Sequence, residues 1–167
     1  KGMGWLCFSQ SSVETMGTLE VQLKRINGKN SMGYGVIFCF QDSDNFYRLL
    51  IDINGYYQIT EKVLGKYPED AIKAWDDSPL LKKGYNVVNT IKIIYDKATN
   101  TFNVYFNNTK ETSFTDNSFS GGKHGFYVGI SETESFPDTP VDVRFKLISN
   151  EPSSASLMSF MAEKLHI

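Results

Sequence analysis

Three features of the chain predict an all-β fold built as two antiparallel sheets packed face to face. Apolar and polar residues alternate over several short runs, as in Phe102, Val104 and Phe106 against Asn103, Tyr105 and Asn107. Turn residues recur roughly every ten positions, and hardly any helical period is present. Aromatic residues make up 14% of the 167 residues, with 12 Phe and 9 Tyr, and with Thr, Val and Ile they give a strand-forming composition. This length suits one sandwich domain with a sizeable core, expected over residues 1–150, followed by a tail over 151–167.

Taken in order, Thr18 to Ile26 reads as an early strand of alternating type. Tyr34 to Gln41 is a β-branched and aromatic run, Asp42-Ser43-Asp44-Asn45 is a turn, and Phe46 to Ile53 is the next strand. Asn54-Gly55 tolerates positive φ and predicts a two-residue hairpin turn into Tyr56 to Lys62, which completes a three-stranded meander. From Gly65 to Tyr85 periodicity fails. This Pro-, Asp- and Lys-rich segment is expected to be the long loop of the domain, with room for one helical turn over Glu69 to Trp75. A second meander follows in Thr90 to Tyr95, Phe102 to Phe106 and Lys110 to Phe114, the last two joined by a tight turn at Asn107-Asn108. Phe102, Val104 and Phe106 are expected to face the core. Gly125 to Ile130 and Val141 to Ile148 complete the strands. After Pro152, Ser153, Ser154 and Ser156 are N-cap candidates, and Leu157, Met158, Phe160, Met161 and Leu165 could share one face of a short C-terminal helix. Such a helix would cover the domain's own surface, or else dock on a partner or membrane.

Composition removes several function classes. A net charge of -2 with both signs interspersed leaves no basic stripe for nucleic acid or for an anionic membrane surface. No apolar run approaches the roughly 18 residues of a spanning helix, so no transmembrane segment is expected. With only Cys7 and Cys39, burial rather than disulfides must hold the fold. Cys39 reads as a small core residue in a strand, and a Cys7–Cys39 bridge is the alternative.

Several phrases together carry a resemblance: Gly35-Val36-Ile37-Phe38, Asp44-Asn45-Phe46-Tyr47, Ile51 to Tyr57, Trp75 to Ser78, Asn89 to Ile93, Phe102 to Asn108, and Gly122 to Gly129. They resemble a bacterial family of laminin-G-like or concanavalin A-like modules, which includes domains related to keto-disaccharide hydrolases and lipoprotein domains of unknown function. The resemblance covers about 18–148, and it rests on strand and turn features, which specify fold more than chemistry. It implies a jelly-roll sandwich with one concave sheet, a secreted or cell-envelope location, and ligand contacts from aromatic and polar residues on that sheet or its rim. Relatives often carry an acid after the Phe of the last strand. This chain has Phe145-Lys146 there, so any role of that acid is in doubt.

The resemblance also implies where paired carboxylates would lie, since concanavalin-like hydrolases place alternating acids along one strand. Glu132 and Glu134 are the near match, although their neighbours Ser135, Pro137 and Asp138 read as a loop. The two histidines, His124 and His166, sit in no nucleophile context, and His124 in Ser120-Gly-Gly-Lys-His-Gly125 reads as a Gly-rich turn entering a strand. Calcium would need clustered oxygens, which Asp42 and Asp44, or Asp76 and Asp77, offer without the Gly and distal Glu of a calcium loop; no cofactor is otherwise expected. For a sugar, Trp75 is the candidate platform, with Tyr57, Tyr67 and Tyr85 as neighbours and Asp76 and Asp77 as polar partners. The expectation is a non-catalytic module binding a carbohydrate or a protein. A glycoside-active enzyme and a structural or adhesive domain are the alternatives.

Overall fold

The computed structural model describes residues 3–8, 13–30, 33–130 and 141–152. Their strands are β1 (Met3–Phe8), β2 (Met16–Asn27), β3 (Tyr34–Asp42), β4 (Asn45–Ile51), β5 (Tyr56–Lys62), β6 (Lys73–Asp77), β7 (Asn89–Asp96), β8 (Thr101–Phe106), β9 (Thr109–Thr115), β10 (Lys123–Ile130) and β11 (Asp142–Pro152). They form a six-stranded sheet in the order β1-β10-β3-β4-β5-β6 and a five-stranded sheet in the order β11-β2-β7-β8-β9. All of the pairings are antiparallel. The chain is a jelly-roll sandwich, and no helix occurs among the described residues.

Period-two patterning puts the same residues inside that the alternation predicts. Leu19, Val21 and Leu23 of β2, Ile91 and Ile93 of β7, and Phe102, Val104 and Phe106 of β8 are buried against Val36, Phe38, Leu49, Ile51, Tyr57 and Ile59 of the other sheet. Phe102 is the hub of the aromatic part of this core. Its ring centroid lies 4.5 Å from Tyr95, 4.9 Å from Phe114, 5.2 Å from Tyr47 and 5.8 Å from Phe38. Tyr47 and Phe38 belong to the six-stranded sheet and the others to the five-stranded one, so these contacts join the two layers. Offset and edge-to-face pairs of this kind add to the area term of burial.

Both β3 and β10 lose regular register at one place. Pairing shifts between Phe38 and Asp42 on β3 and between Lys123 and Gly125 on β10, and Cys39 takes φ 50. The bulge turns the Cys39 N–H out of the ladder, and it is satisfied by Nδ1 of buried His124 at 3.4 Å. His124 therefore points into the core at the start of β10, and burial lowers its pKa to about 4. Cys39 is a free buried thiol in contact with Met16 Sδ at 3.8 Å, so it is the small core residue and has no disulfide partner.

Three expectations change. The segment 65–85 holds no helical turn. Lys73–Asp77 is instead an edge strand on β5, and its Lys and Asp side chains suit an edge that must not pair further. The β4–β5 turn has three residues, 53–55, since Asp52 N–H bonds Tyr56 O at 2.9 Å and only Gly55 is at positive φ, +91. The strand expected over Val141 to Ile148 runs on to Pro152, two residues past the domain limit of 150. The terminal helix expected beyond Pro152 lies outside the described residues. By contrast, Asn107 and Asn108 both take positive φ, 50 and 73, which is the two-residue hairpin expected there.

Two outcomes follow. Phe102→Ala empties the hub and should cost about 3–5 kcal/mol in a urea or guanidinium unfolding titration. His124 binds a proton near its ordinary value when unfolded but only near pH 4 when folded. Between those values the unfolded state holds more protons, so stability should fall by on the order of 3 kcal/mol as pH drops from about 6.5 to about 4. Glu61 acts in the opposite sense, because burial, with Asp116 nearby, raises its pKa. Unfolding of His124→Gln measured across this window should lose the downward slope, and an unchanged slope would refute the assignment.

Candidate functional site

Side chains that do not face the second sheet must point outward, and on β4 and β5 these include Arg48, Leu50, Tyr56 and Gln58. Cross-strand register makes a row of them. Tyr127 of β10 lies opposite Gly35 of β3, Gly35 opposite Leu50, and Leu50 opposite Gln58. On the next strand, Trp75 falls between Lys73 and Asp76, which pair with Ile59 and Tyr57 on either side of Gln58. Leu50 is the apolar floor of this row, and Trp75, 41% exposed, closes the far side.

The result is a cleft of about 240 Å³ lined by Trp75, Gln58, Tyr56, Arg48, Asp52 and Asn30 over Leu50 and Gly33. Gly33 shapes the wall facing Trp75. It takes φ +73, and a Cβ there would come within 2.9 Å of Trp75 Cη2 and 2.8 Å of the Ile51 carbonyl. Only glycine lets the loop before β3 approach the indole.

The polar wall is braced from behind. Asp52 Oδ1 accepts from the backbone N–H of Asn54 and of Tyr56, each at 2.9 Å, while Oδ2 accepts from Asn30 Nδ2 at 3.0 Å. Asn30 Oδ1 in turn accepts from the Ile53 N–H at 3.3 Å and from buried Arg25 at 3.4 Å. Asn30 and Asp52 are thus held rigidly at the rim before any ligand arrives. Arg48 is held differently, with its guanidinium carbon 5.1 Å from the Tyr67 ring centroid and 5.0 Å from that of Tyr127.

The sequence-derived candidates divide. Trp75 lines the cleft, on an edge strand rather than in a loop. Tyr67 stands beside it by holding Arg48. Tyr57 lies on the opposite face of β5, buried with its ring 5.1 Å from Phe106, because it is one residue out of phase with Gln58. Tyr85 donates to the Gly28 carbonyl at 2.6 Å and so braces the loop that carries Asn30. Asp76 and Asp77 sit on the sheet edge and pair with Lys73 at 2.7 Å and Lys83 at 2.9 Å; Lys73 holds the Asp76 carboxyl below the usual range. Asp42 accepts from the Asp44 N–H at 2.7 Å and from the Asn45 amide, and Asp44 pairs with Lys62 at 3.0 Å, so both serve the β3–β4 turn. Among the described residues no three His, Cys, Asp or Glu side chains gather as a metal site. Glu132 and Glu134 lie outside the described residues. Among the described residues the acid lining the cleft is Asp52, and no second, opposed carboxyl of the kind needed for glycosidic cleavage lines it.

Arg48, Gln58, Asn30 and Asp52 escaped sequence reasoning. Arg48 carried a usable signal, as the lone cation inside the otherwise uncharged run Phe46 to Ile51. Asn30 carried none, because its partner Asp52 is 22 residues away.

No protein-family model and no curated protein matches the chain. Solved structures do. The carbohydrate binding module CBM66 from Bacillus subtilis superposes with a TM-score of 0.64 at 18% identity, over 86% of this chain and 78% of that one. This chain shares its sandwich fold. Sheep galectin-11 gives a TM-score of 0.54 at 13% identity over 84% of this chain and 96% of its own. A native glycosidic hydrolase gives 0.62 at 12% identity over 89% of this chain and 70% of that one.

The Gly33 contact is testable. Gly33→Ala should displace the indole, seen as a shift in Trp75 emission in a Trp5→Phe background; unchanged emission would mean that the wall does not depend on that contact.

Proposed function

We propose that the chain is a glycan-binding module whose ligand lies in the cleft on the outer face of the six-stranded sheet. The observation that carries this reading is the exposed face of Trp75 standing over a cleft whose other walls are planar polar groups, from Asn30, Asp52 and Gln58. A sugar needs both. Its axial and equatorial C–H groups form an apolar face that stacks on an aromatic ring, and its hydroxyls need donors and acceptors in fixed positions. Rigid bracing of Asn30 and Asp52 lowers the entropy lost on binding.

Support also comes from the fold neighbours, which include a carbohydrate binding module and galectins. A binding role is favoured over glycoside cleavage because the Asp52 carboxylate is committed to the β4–β5 turn and to Asn30. A protein ligand would call for a broader apolar surface than this cleft of about 240 Å³.

A glycan array followed by titration of the best ligand tests the reading. Trp75→Ala should weaken binding roughly thirtyfold, the loss of an aromatic anchor worth about 2 kcal/mol, with the fold intact by circular dichroism. Undiminished binding by Trp75→Ala, or no glycan bound at all, would overturn it.

A further inference from the structure

Arg48 is not among the cations that form ion pairs with described carboxylates. Lys62, Lys73, Lys83, Lys92 and Arg144 each have a carboxylate partner, at 3.0, 2.7, 2.9, 2.8 and 3.5 Å. Arg48 has an aromatic ring on either side and no carboxylate in reach among the described residues. Its Nε is buried without a hydrogen-bond partner. The chain carries a cost here, since a buried donor left unmade is unfavourable and a charged one more so. The rings of Tyr67 and Tyr127 hold the guanidinium through its faces, which leaves its edge, where the donors are, for something else. That edge belongs to a residue lining the cleft.

The opposite end of the cleft is settled. Asp52 is an anion, but both of its oxygens are already taken by the turn and by Asn30. Arg48 and Leu50 lie two residues apart on one face of β4, and Asp52 follows at the strand end, so the floor between cation and anion is Leu50. Two strand steps span roughly 13 Å, room for one sugar ring and a substituent. Among the described residues, the charge beside this floor that lacks an ion-pair partner is the positive one, Arg48.

We infer that the cleft takes an anionic saccharide, one whose terminal sugar carries a carboxylate that sits on the edge of Arg48 while its ring stacks on Trp75. A carboxylate is favoured over a sulfate because its two coplanar oxygens match the guanidinium fork. The inference rests on the glycan-binding reading and narrows it to an acidic class.

The experiment compares three sets of oligosaccharides on the wild-type chain: uronic- or sialic-acid-bearing, the same after reduction of the carboxyl to an alcohol, and sulfated. The carboxylated set should bind, the reduced set should bind roughly ten- to a hundredfold more weakly, and affinity for the carboxylated set should fall as salt rises. Arg48→Gln should bring the carboxylated ligand down to the level of its reduced form, and Arg48→Lys, which keeps charge but loses the fork, should lie between. Thermal unfolding checks that each variant is folded, and Arg48→Lys keeps the question open to test if Arg48→Gln is not. Equal binding of carboxylated and reduced sugars by the wild type would overturn the acidic class and leave the glycan reading standing. Preference for sulfated sugars would overturn the carboxylate. Binding of no saccharide would overturn both.

Discussion

The structure depends on one requirement: two sheets must bury their apolar faces against each other, and a strand can bury only every second residue. Phe102 shows how closely that requirement is met, because its ring touches both its own sheet neighbours and the Tyr47 and Phe38 rings of the facing sheet. Once Tyr47, Leu49 and Ile51 are inside, Arg48 and Leu50 are outside with no freedom to be elsewhere. The outer face of the six-stranded sheet is therefore a by-product of the core, and the cleft is built on it.

That arrangement explains how a small module can hold a rigid binding surface. Arg48, Leu50 and Gln58 stand on central strands paired on both sides, whereas only Trp75 comes from an edge. Gly28 and Asn30, which follow β2, are held from several directions. Asn30 joins Asp52, the Ile53 N–H and buried Arg25, and Tyr85 holds the Gly28 carbonyl. Even Gly33 contributes, by having no side chain where the indole must pass. The bulge at Cys39 with its His124 partner is a separate matter. It closes a break in the β3–β10 ladder within the core and lies apart from the cleft.

Polar groups in the core are handled in two ways. His124 is kept neutral by burial, and protonating it on acidification is destabilising. Tyr47 donates to Asp116 and accepts from the Phe119 N–H at 3.2 Å, and Tyr95 donates to Asn100 at 2.8 Å, so both phenols packed against Phe102 are satisfied. Arg48 is the exception on the outer face, where a cation is held by two rings and left with an open edge.

Period-two alternation and turn chemistry were enough, from the sequence, to establish the all-β class, the two meanders and the inward set Phe102, Val104 and Phe106, because each depends on residues close together in the chain. Trp75 was likewise visible as an aromatic in an irregular Pro-, Asp- and Lys-rich segment. Strand β6 was not visible, since Lys73-Ala74-Trp75-Asp76-Asp77 has little strand propensity of its own and becomes a strand only by pairing with β5. Tyr57, named from the sequence as a neighbour of Trp75, faces the core, because a two-residue hairpin and a three-residue one give different phases, and the backbone alone decides between them. The cleft itself joins Asn30, Arg48, Gln58 and Trp75 from four separate segments. Local sequence carries no record of which segments will meet; that is decided by sheet register and by the burial that sets it.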